Sequence, residues 1–175
     1  MASTYNVREI NTNDIQHIID YWLKSDHKYL QSLGVDIQKL PSEEQLKTML
    51  SKQISLEYKD KPSFAVIWEI DGKAVGHSNI TDISFGNIAN MHLHLWEKDV
   101  RQKGAGTILV KQSLPFFFEL FQLKSIICEP YAENPAPNKT LEKVGFKLIK
   151  RYRTIPGSLN FEQDVNQWEI KPALI

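Results

Sequence analysis

The stretch that decides the fold is residues 88–123, IANMHLHLWEKDVRQKGAGTILVKQSLPFFFELFQL, which contains a strand, a loop and a helix. Apolar and polar side chains alternate from Ile88 to Trp96, as in a half-buried strand. Arg101–Gly106 (RQKGAG) combines basic and amide residues with small ones, and apolar residues then recur at helical spacing from Thr107 to Leu123. Backbone N–H groups in a loop that enters a helix can bind a phosphate. The glycines would equally serve a plain turn into the helix.

Two other nucleotide-binding motifs fit this loop poorly. A P-loop requires Lys followed by Ser or Thr after its last glycine, and Thr107 follows Gly106 here. A dinucleotide fingerprint requires a third Gly or Ala where Leu109 stands. Glu129 lies near the position of a ribose-binding acid, but too few residues follow it to build further βαβ units.

Working outward from this stretch, the sequence predicts the element order β-α-α-β-β-β-α-β-α-β-β. Asn13 is the expected cap of the first helix, and Ser42 with Gln45 forms a capping box for the second. Asp71-Gly72 predicts a tight hairpin between two strands, and a short helix is expected from Pro137 to Val144. The fold class is therefore α/β (α+β), with a mixed, mostly antiparallel sheet of about six to seven strands flanked by about four helices.

Composition indicates one ordinary domain over residues 1–175. The chain has 42% hydrophobic residues, and its 21 Lys and Arg balance 21 Asp and Glu. A net charge of zero gives no long-range field for a polyanion, so nucleic acid is not an expected partner. Any bound anion has to be held by local groups.

Cys128 is the only cysteine, which excludes an internal disulfide and a thiolate zinc cluster. The N-terminal MASTYNVREI lacks the apolar run of a signal peptide, and no apolar segment is long enough to cross a membrane. We therefore expect a cytoplasmic protein that does not associate with membranes.

Two motifs together resemble one known family. Arg101-x-x-Gly104-x-Gly106 is similar to the pyrophosphate loop of the GNAT superfamily of acyl-CoA-dependent N-acetyltransferases. Asn134 followed by LEKVGF at residues 141–146 resembles a segment that the superfamily has one strand and one helix further on. The nearest branch is the ribosomal-protein alanine acetyltransferases, although Pro137 stands where that branch has a serine. The ribosomal substrate is therefore not carried over.

The resemblance implies that acetyl-CoA is the cosubstrate. No metal is expected, because no Asp, Glu or Cys near His92 and His94 completes a ligand set at a recognisable spacing. The pyrophosphate of acetyl-CoA would lie on the N–H groups of residues 102–107, and its pantetheine arm would run like a strand beside Leu95 and Trp96. Asn134 would contact the arm from the other side of a cleft. The expected cofactor-binding residues are Leu95, Trp96, Arg101, Gln102, Lys103, Gly104, Ala105, Gly106, Thr107 and Asn134.

Acetylation of an amine also requires a proton acceptor, because an ordinary primary amine is protonated near neutral pH. Relatives often carry a glutamate on the central strand, which has none here, but His92 and His94 lie on one face of it. Both are candidate catalytic residues, and both also suit a structural role. Many relatives use a tyrosine as general acid where Leu141 stands, and Tyr131 is the nearest phenol that could replace it.

Two functions remain open at this point. The first is an N-acetyltransferase that moves an acetyl group from acetyl-CoA to a primary amine by direct attack in a ternary complex. The alternative is a catalytically silent acyl-CoA-binding or regulatory module, suggested by the missing serine, tyrosine and glutamate. The acceptor would be a small-molecule amine or a peptide N-terminus, and a homodimer is compatible with the sequence. Aromatic residues placed where the superfamily builds its acceptor pocket are Tyr21, Trp22, Tyr29 and Phe85.

Overall fold

The computed structural model describes residues 2–101 and 104–172. It has one seven-stranded sheet with the order β1-β2-β3-β4-β5-β7-β6. Every neighbouring pair is antiparallel except β4 and β5, which are parallel. The strands are β1 Tyr5–Glu9, β2 Ser63–Ile70, β3 Lys73–Ser84, β4 Ile88–Leu95, β5 Ser125–Cys128, β6 Lys147–Thr154 and β7 Gln163–Ile170. The predicted mixed, mostly antiparallel sheet is confirmed.

Five α-helices accompany the sheet in the described residues: α1 Ile15–Lys24, α2 His27–Ser32, α3 Glu43–Ser55, α4 Ala105–Phe121 and α5 Pro135–Val144. The sequence analysis did not predict α2. This helix has six residues, its cap is Asp26, and Leu30 is its one buried residue, so it shows no helical periodicity. None of the helices in the described ranges has the length and apolarity needed to cross a bilayer.

Two helical segments begin at residues other than the predicted ones, and in each a side chain caps the start. Asn11, rather than Asn13, caps the first helical segment, because its side chain accepts the Asn13 N–H while Asp14 accepts the Asn11 N–H. The last helix begins at Pro135 with Asn134 as its cap, two residues before the predicted Pro137. Proline suits the first helical position because the N–H it lacks would have no partner there. The Ser42 capping box is confirmed.

The two faces of β4 have different surroundings. Ala89 and Met91 join the main core, in which Phe117 of α4 is fully buried. The opposite face of the sheet packs against α1 and α3 through a smaller core around Ile19 and Leu46. His94 contacts the rings of Tyr21 and Trp22 of α1 on this second side, and His92 lies two residues before it on the same strand. The alternation of β4 therefore places both histidines on one face, as predicted, and that face is the one away from α4.

The parallel strands β4 and β5 pair only over a short length. Residues 88–90 of β4 pair with residues 125–127 of β5, after which β4 continues to Leu95 without a partner on that side. Pro130 follows shortly after β5 and has no N–H for a ladder. The two strands separate beyond this point, and the gap between them is the entrance to a cleft.

Candidate active site

A cleft with a volume of about 310 Å³ opens where β4 and β5 separate. Its sheet side is lined by residues of β3 and β4 and by the segment that follows β5. The remainder is lined by two loops, one after α2 and one between β6 and β7, and by Trp22 of α1, Pro137 of α5 and Gln163 of β7. His92, His94, Tyr131 and Asn134, which the sequence analysis selected, all line this cleft. The fold therefore brings four of the predicted site residues together.

His92 is held in the cleft by its neighbours on β3. Its Nε2 lies 3.0 Å from Thr81 Oγ1, and its carbonyl accepts a hydrogen bond from Ser78 Oγ at 2.8 Å. Burial lowers the pKa of His92, while the negative charges of Asp82 and Glu129 partly oppose that effect. The imidazole is therefore neutral at pH 7 and has a lone pair available to accept a proton.

His94 lies in a more crowded aromatic cluster. Its ring stacks on that of His77 with 4.5 Å between centroids, and its Nδ1 is 3.3 Å from the Tyr21 hydroxyl. His77 in turn accepts a hydrogen bond from Trp96 Nε1 at 2.8 Å. Burial and the neighbouring imidazoles hold the pKa of His94 well below 6.5, and burial lowers that of His77 to about 3. These contacts fit a neutral packing role better than a charged one.

Two carboxylates in the cleft lining, Asp82 and Glu129, were not predicted from the sequence as candidate catalytic groups. Asp82 Oδ2 accepts from Asn90 Nδ2 at 3.0 Å, and Glu129 Oε1 accepts from Gln167 Nε2 at 2.6 Å and from the Tyr152 hydroxyl. Burial and the Glu129 charge raise the pKa of Tyr152 to about 12, so that phenol remains a donor. From the sequence, Glu129 was considered only as a possible ribose-binding acid of a dinucleotide fingerprint. No local motif marks Asp82, whose relevance comes from the pairing of β3 with β4.

Tyr131 and Asn134 lie in the turn between β5 and α5. Tyr131 bridges to Val165 of β7, and its ring packs edge-on against Phe161 with 6.0 Å between centroids. The side-chain oxygen of Asn134 caps α5 by accepting the Ala136 N–H at 3.4 Å. This turn carries one predicted catalytic residue and one predicted cofactor contact.

Asn138 fixes the turn to β7. Its Nδ2 donates to the carbonyls of Tyr131 at 3.2 Å and Asn134 at 2.8 Å. Its Oδ1 accepts from Asn166 Nδ2 and Trp168 Nε1, both at 2.9 Å. An amide can make about four hydrogen bonds, and Asn138 makes all of them. No sequence pattern marks this residue, since two of its partners, Asn166 and Trp168, lie on a strand further along the chain.

Cys128 also lines the cleft but is unsuited to nucleophilic attack. The residue is buried, and burial raises the pKa of its thiol to about 12. A thiol must be ionised to act as a nucleophile, so Cys128 remains inert at neutral pH.

The glycine loop leads into α4 as predicted. Gly104 has φ +78 and occupies the N-cap position, with open space where a Cβ would be. Ala105 and Gly106 begin the helix, and the N–H groups of a first helical turn have no acceptors within the helix. The Thr107 N–H donates to the carbonyl of the capping Gly104 at 3.2 Å. Gln102 and Lys103 lie outside the described residues. Cofactor binding at Gly104–Thr107 remains a prediction.

Arg101 lies against the exposed end of β4. Its guanidinium donates to the Leu95 carbonyl at 2.9 Å and the Trp96 carbonyl at 3.2 Å, and it stacks 3.8 Å above the Tyr29 ring. The Trp96 N–H donates to the Val75 carbonyl of β3. Because the backbone groups of successive strand residues point to opposite sides, the N–H and carbonyl of Leu95 point away from β3, toward the cleft between β4 and β5. That edge is where the resemblance places the pantetheine arm.

The remaining predicted aromatic residues divide between the cleft and other places. Trp22 lines the cleft, and its ring packs edge-on against His94 with 5.0 Å between centroids. Tyr21 is buried behind His94. Phe85 packs against Phe121 in the α4 core and is not part of the cleft lining.

The chain belongs to the GNAT acetyltransferase family, because the family model described as acetyltransferase (GNAT) domain matches residues 6–147. The matched region includes the glycine loop, His92 and the LEKVGF segment up to Phe146. The chain is accordingly an acetyltransferase by family, as the two motifs predicted. A search with the sequence against curated proteins finds no significant match.

Solved structures with the same fold include several acetyltransferases. A spermidine N-acetyltransferase from Vibrio cholerae, in complex with CoA and spermine, aligns with a TM-score of 0.77 at 18% identity over 97% of this chain and 96% of its own. A ribosomal-protein-S5-alanine acetyltransferase from Vibrio fischeri gives 0.76 at 19% identity over 98% and 97%. A ribosomal L7/L12 α-N-protein acetyltransferase in complex with coenzyme A gives 0.76 at 15% over 96% and 94%. At these identities the likeness establishes the fold.

Proposed function

We propose that residues 1–175 act as one domain that transfers an acetyl group from acetyl-CoA to a primary amine by direct attack in a ternary complex. The observation that carries this proposal is the position of His92, a neutral imidazole in the cleft at the separation of β4 and β5. Asp82 and Glu129 lie near enough for their charges to favour its protonated form. The arrangement suits a group that takes up a proton during the reaction and later releases it.

The cofactor would use mainly backbone groups. Gly104, Ala105, Gly106 and Thr107 supply the positive end of α4 for the pyrophosphate, and Leu95 and Trp96 supply the strand edge for the pantetheine arm. Asn134 faces that arm from the turn before α5. Bound there, acetyl-CoA supplies the thioester carbonyl that the amine attacks. Two of the relatives named above, the spermidine N-acetyltransferase and the ribosomal L7/L12 acetyltransferase, have structures in complex with CoA, which supports the cosubstrate.

The hydrogen bonds around His92 indicate which ring nitrogen is basic. Thr81 Oγ1 has a carboxylate oxygen of Asp82 at 3.4 Å, to which it can donate, and it lies 3.0 Å from His92 Nε2. If the hydroxyl proton goes to Asp82, Thr81 can only accept from His92, which fixes the proton on Nε2. Nδ1 then holds the lone pair that accepts a proton. Asp82 and Thr81 act as positioning residues in this scheme.

In the reaction, the bound ammonium first releases one proton to solvent. The neutral amine nitrogen then attacks the thioester carbonyl, a C–N bond forms and the C–S bond breaks. His92 Nδ1 takes the proton that the amine nitrogen loses, and CoA leaves as a thiolate that is then protonated. Tyr131 lines the same cleft and is our candidate donor to the thiolate. His94 is assigned a supporting role, because its ring is enclosed by His77, Tyr21 and Trp22.

The acceptor is proposed to be a cationic amine. The described cleft lining contains the carboxylates of Asp82 and Glu129 and no lysine or arginine. An ammonium group entering the cleft is therefore attracted to it. Spermidine N-acetyltransferases and ribosomal-protein acetyltransferases among the fold relatives act on a polyamine and on protein amines respectively, so a small amine and a peptide N-terminus both remain candidates.

Thiol release tests the proposal. Purified protein with acetyl-CoA and a panel of primary amines should release CoA, and His92→Gln should lower kcat by about 100-fold, the scale of general base catalysis. Acetyl-CoA affinity should be unchanged in this variant. His27→Gln on the exposed start of α2 is the matched control and should keep full activity. Binding of acetyl-CoA without turnover across the panel would support the silent acyl-CoA-binding module instead.

A further inference from the structure

Two loops that line the cleft are tied to each other. The loop of residues 33–36 follows α2, and the loop of residues 155–162 joins β6 to β7; both contribute to the cleft lining. Val35 and Asn160 form an isolated β-bridge, and the Asp36 N–H donates to the Leu159 carbonyl at 2.8 Å. Parts of the chain more than a hundred residues apart thus form one wall of the cleft.

Gln163, the first residue of β7, lies at the centre of this connection. Its Nε2 donates to the Gly34 carbonyl at 2.8 Å and to the Phe161 carbonyl at 2.9 Å. Asn160 Nδ2 donates to the same Gly34 carbonyl at 2.9 Å. Gln163 is 2% exposed and lines the cleft, so these hydrogen bonds are shielded from water.

Gly34 is shaped to receive this side chain. It has φ +85, and a Cβ at this position would clash with the Gln163 amide. Glycine meets both requirements because it adopts positive φ at little cost and leaves room above its Cα. The two loops therefore meet through a close approach of backbone and side chain.

We propose that Gln163 is a specificity-determining residue that limits the size of the acceptor amine by holding the two loops together. This inference rests on the proposed function. A typical hydrogen bond contributes about 0.5–1.5 kcal/mol net, and a buried carbonyl left without a donor costs more. Without the amide, the Phe161 carbonyl loses this donor, and the Gly34 carbonyl keeps only Asn160 Nδ2 at 2.9 Å and the Phe161 N–H at 3.3 Å. The two loops would then be held together less tightly, and the wall would admit longer acceptors.

The test compares Gln163→Met with Gln53→Met. Methionine keeps the approximate volume of glutamine but removes the donors. Gln53 is also 2% exposed, but it lies on α3 and bonds Ser63, away from the cleft lining. The ratio of kcat/KM for hexylamine to kcat/KM for ethylamine should rise about tenfold in Gln163→Met, equivalent to the loss of one to two such bonds. The ratio should not change in Gln53→Met.

The outcomes separate this inference from the proposed function. An equal fall for both amines in Gln163→Met would overturn the size limit and leave Gln163 a structural residue. Absence of thiol release by the wild-type protein with every amine would overturn the proposed function, and the size limit with it. Hydrogen exchange at the Asp36 and Phe161 amides gives a readout independent of turnover. Protection there should be lost in Gln163→Met, and retained protection would also contradict the proposal.

A milder variant covers the case in which Gln163→Met does not fold. Asn160→Ala removes one of the two side-chain donors to the Gly34 carbonyl and keeps Gln163. It should shift the hexylamine to ethylamine ratio in the same direction by about threefold, in line with one hydrogen bond. An unchanged ratio in a folded Asn160→Ala protein with lost exchange protection would overturn the link between the loops and acceptor size.

Discussion

The two halves of the cleft are built from different materials. The half proposed for the cofactor uses backbone: the Gly104 turn, the first N–H groups of α4 and the edge of β4 at Leu95, whose carbonyl accepts from Arg101 in this structure. The half proposed for the acceptor uses side chains from distant elements, such as His92 on β4 and Gln163 on β7. Backbone groups depend on local conformation, whereas side-chain groups depend on how the whole sheet is assembled.

The largest effect should come from disturbing the backbone half. Gly104→Val places a β-branched residue at φ +78, which such residues adopt only with strain. We expect acetyl-CoA affinity to fall at least about 30-fold, and the thermal stabilisation by the cofactor to shrink accordingly. Gly86→Val is the control, because Gly86 has φ +76 with equally open surroundings in the β3–β4 turn. Similar loss of affinity in both variants would contradict a local role for Gly104.

A change in the side-chain half should lower turnover and leave the cofactor bound. Thr81→Val keeps the shape of the side chain but removes the partner of His92 Nε2. We expect kcat to fall about tenfold through loss of the correct tautomer, with unchanged acetyl-CoA affinity. Thr81→Ser restores the hydroxyl and should recover most of the activity.

The pH profile checks the same assignment. Burial lowers the pKa of His92, so the acidic limb of kcat/KM should lie below pH 6.5, where protonation removes the base. This limb should move in Thr81→Val and be absent in His92→Gln. A limb that stays in place in both variants would mean that another group accepts the proton.

A change in the turn between β5 and α5, which lies between the two halves, should lower the stability of the protein more than its activity. Asn138→Leu removes both donors to the Tyr131 and Asn134 carbonyls and leaves Trp168 Nε1 without an acceptor. The free energy of unfolding should fall by about 2–3 kcal/mol, measured by urea denaturation. Lys139→Leu, one residue along α5 and exposed, should change it by less than about 0.5 kcal/mol. Equal losses in the two variants would rule out the hydrogen bonds of Asn138 as the cause.

The last prediction concerns the buried imidazoles behind the acceptor half. The folded protein holds the pKa of His77 at about 3, whereas an unfolded histidine titrates near 6.5. Stability is therefore fully present above about pH 6.5 and falls as the pH decreases, because the unfolded chain binds the proton first. Protonation would also cost the Trp96 hydrogen bond to Nδ1. Urea midpoints measured at decreasing pH should show this decline, and His77→Asn should reduce its slope.

The same contrast explains how much the sequence could predict. The hairpin at Asp71-Gly72, the Ser42 capping box and the glycine loop are local patterns, and each appears in the structure. Helix α2 is too short to produce a periodic pattern. Asp82, Asn138 and Gln163 become relevant only through partners on other elements, in the last case a contact across 129 residues. Spacing along the chain carries no information about such contacts.

The position of Arg101 has a consequence for the rate of cofactor binding. The Leu95 carbonyl already accepts two N–H groups from this side chain, which also stacks on Tyr29. A pantetheine arm that pairs with Leu95 therefore replaces hydrogen bonds that exist in the free protein, and it gains little net energy at that point. Arg101 has to withdraw first. In stopped-flow experiments, the observed association rate would then level off at high acetyl-CoA concentration, at the rate of that withdrawal.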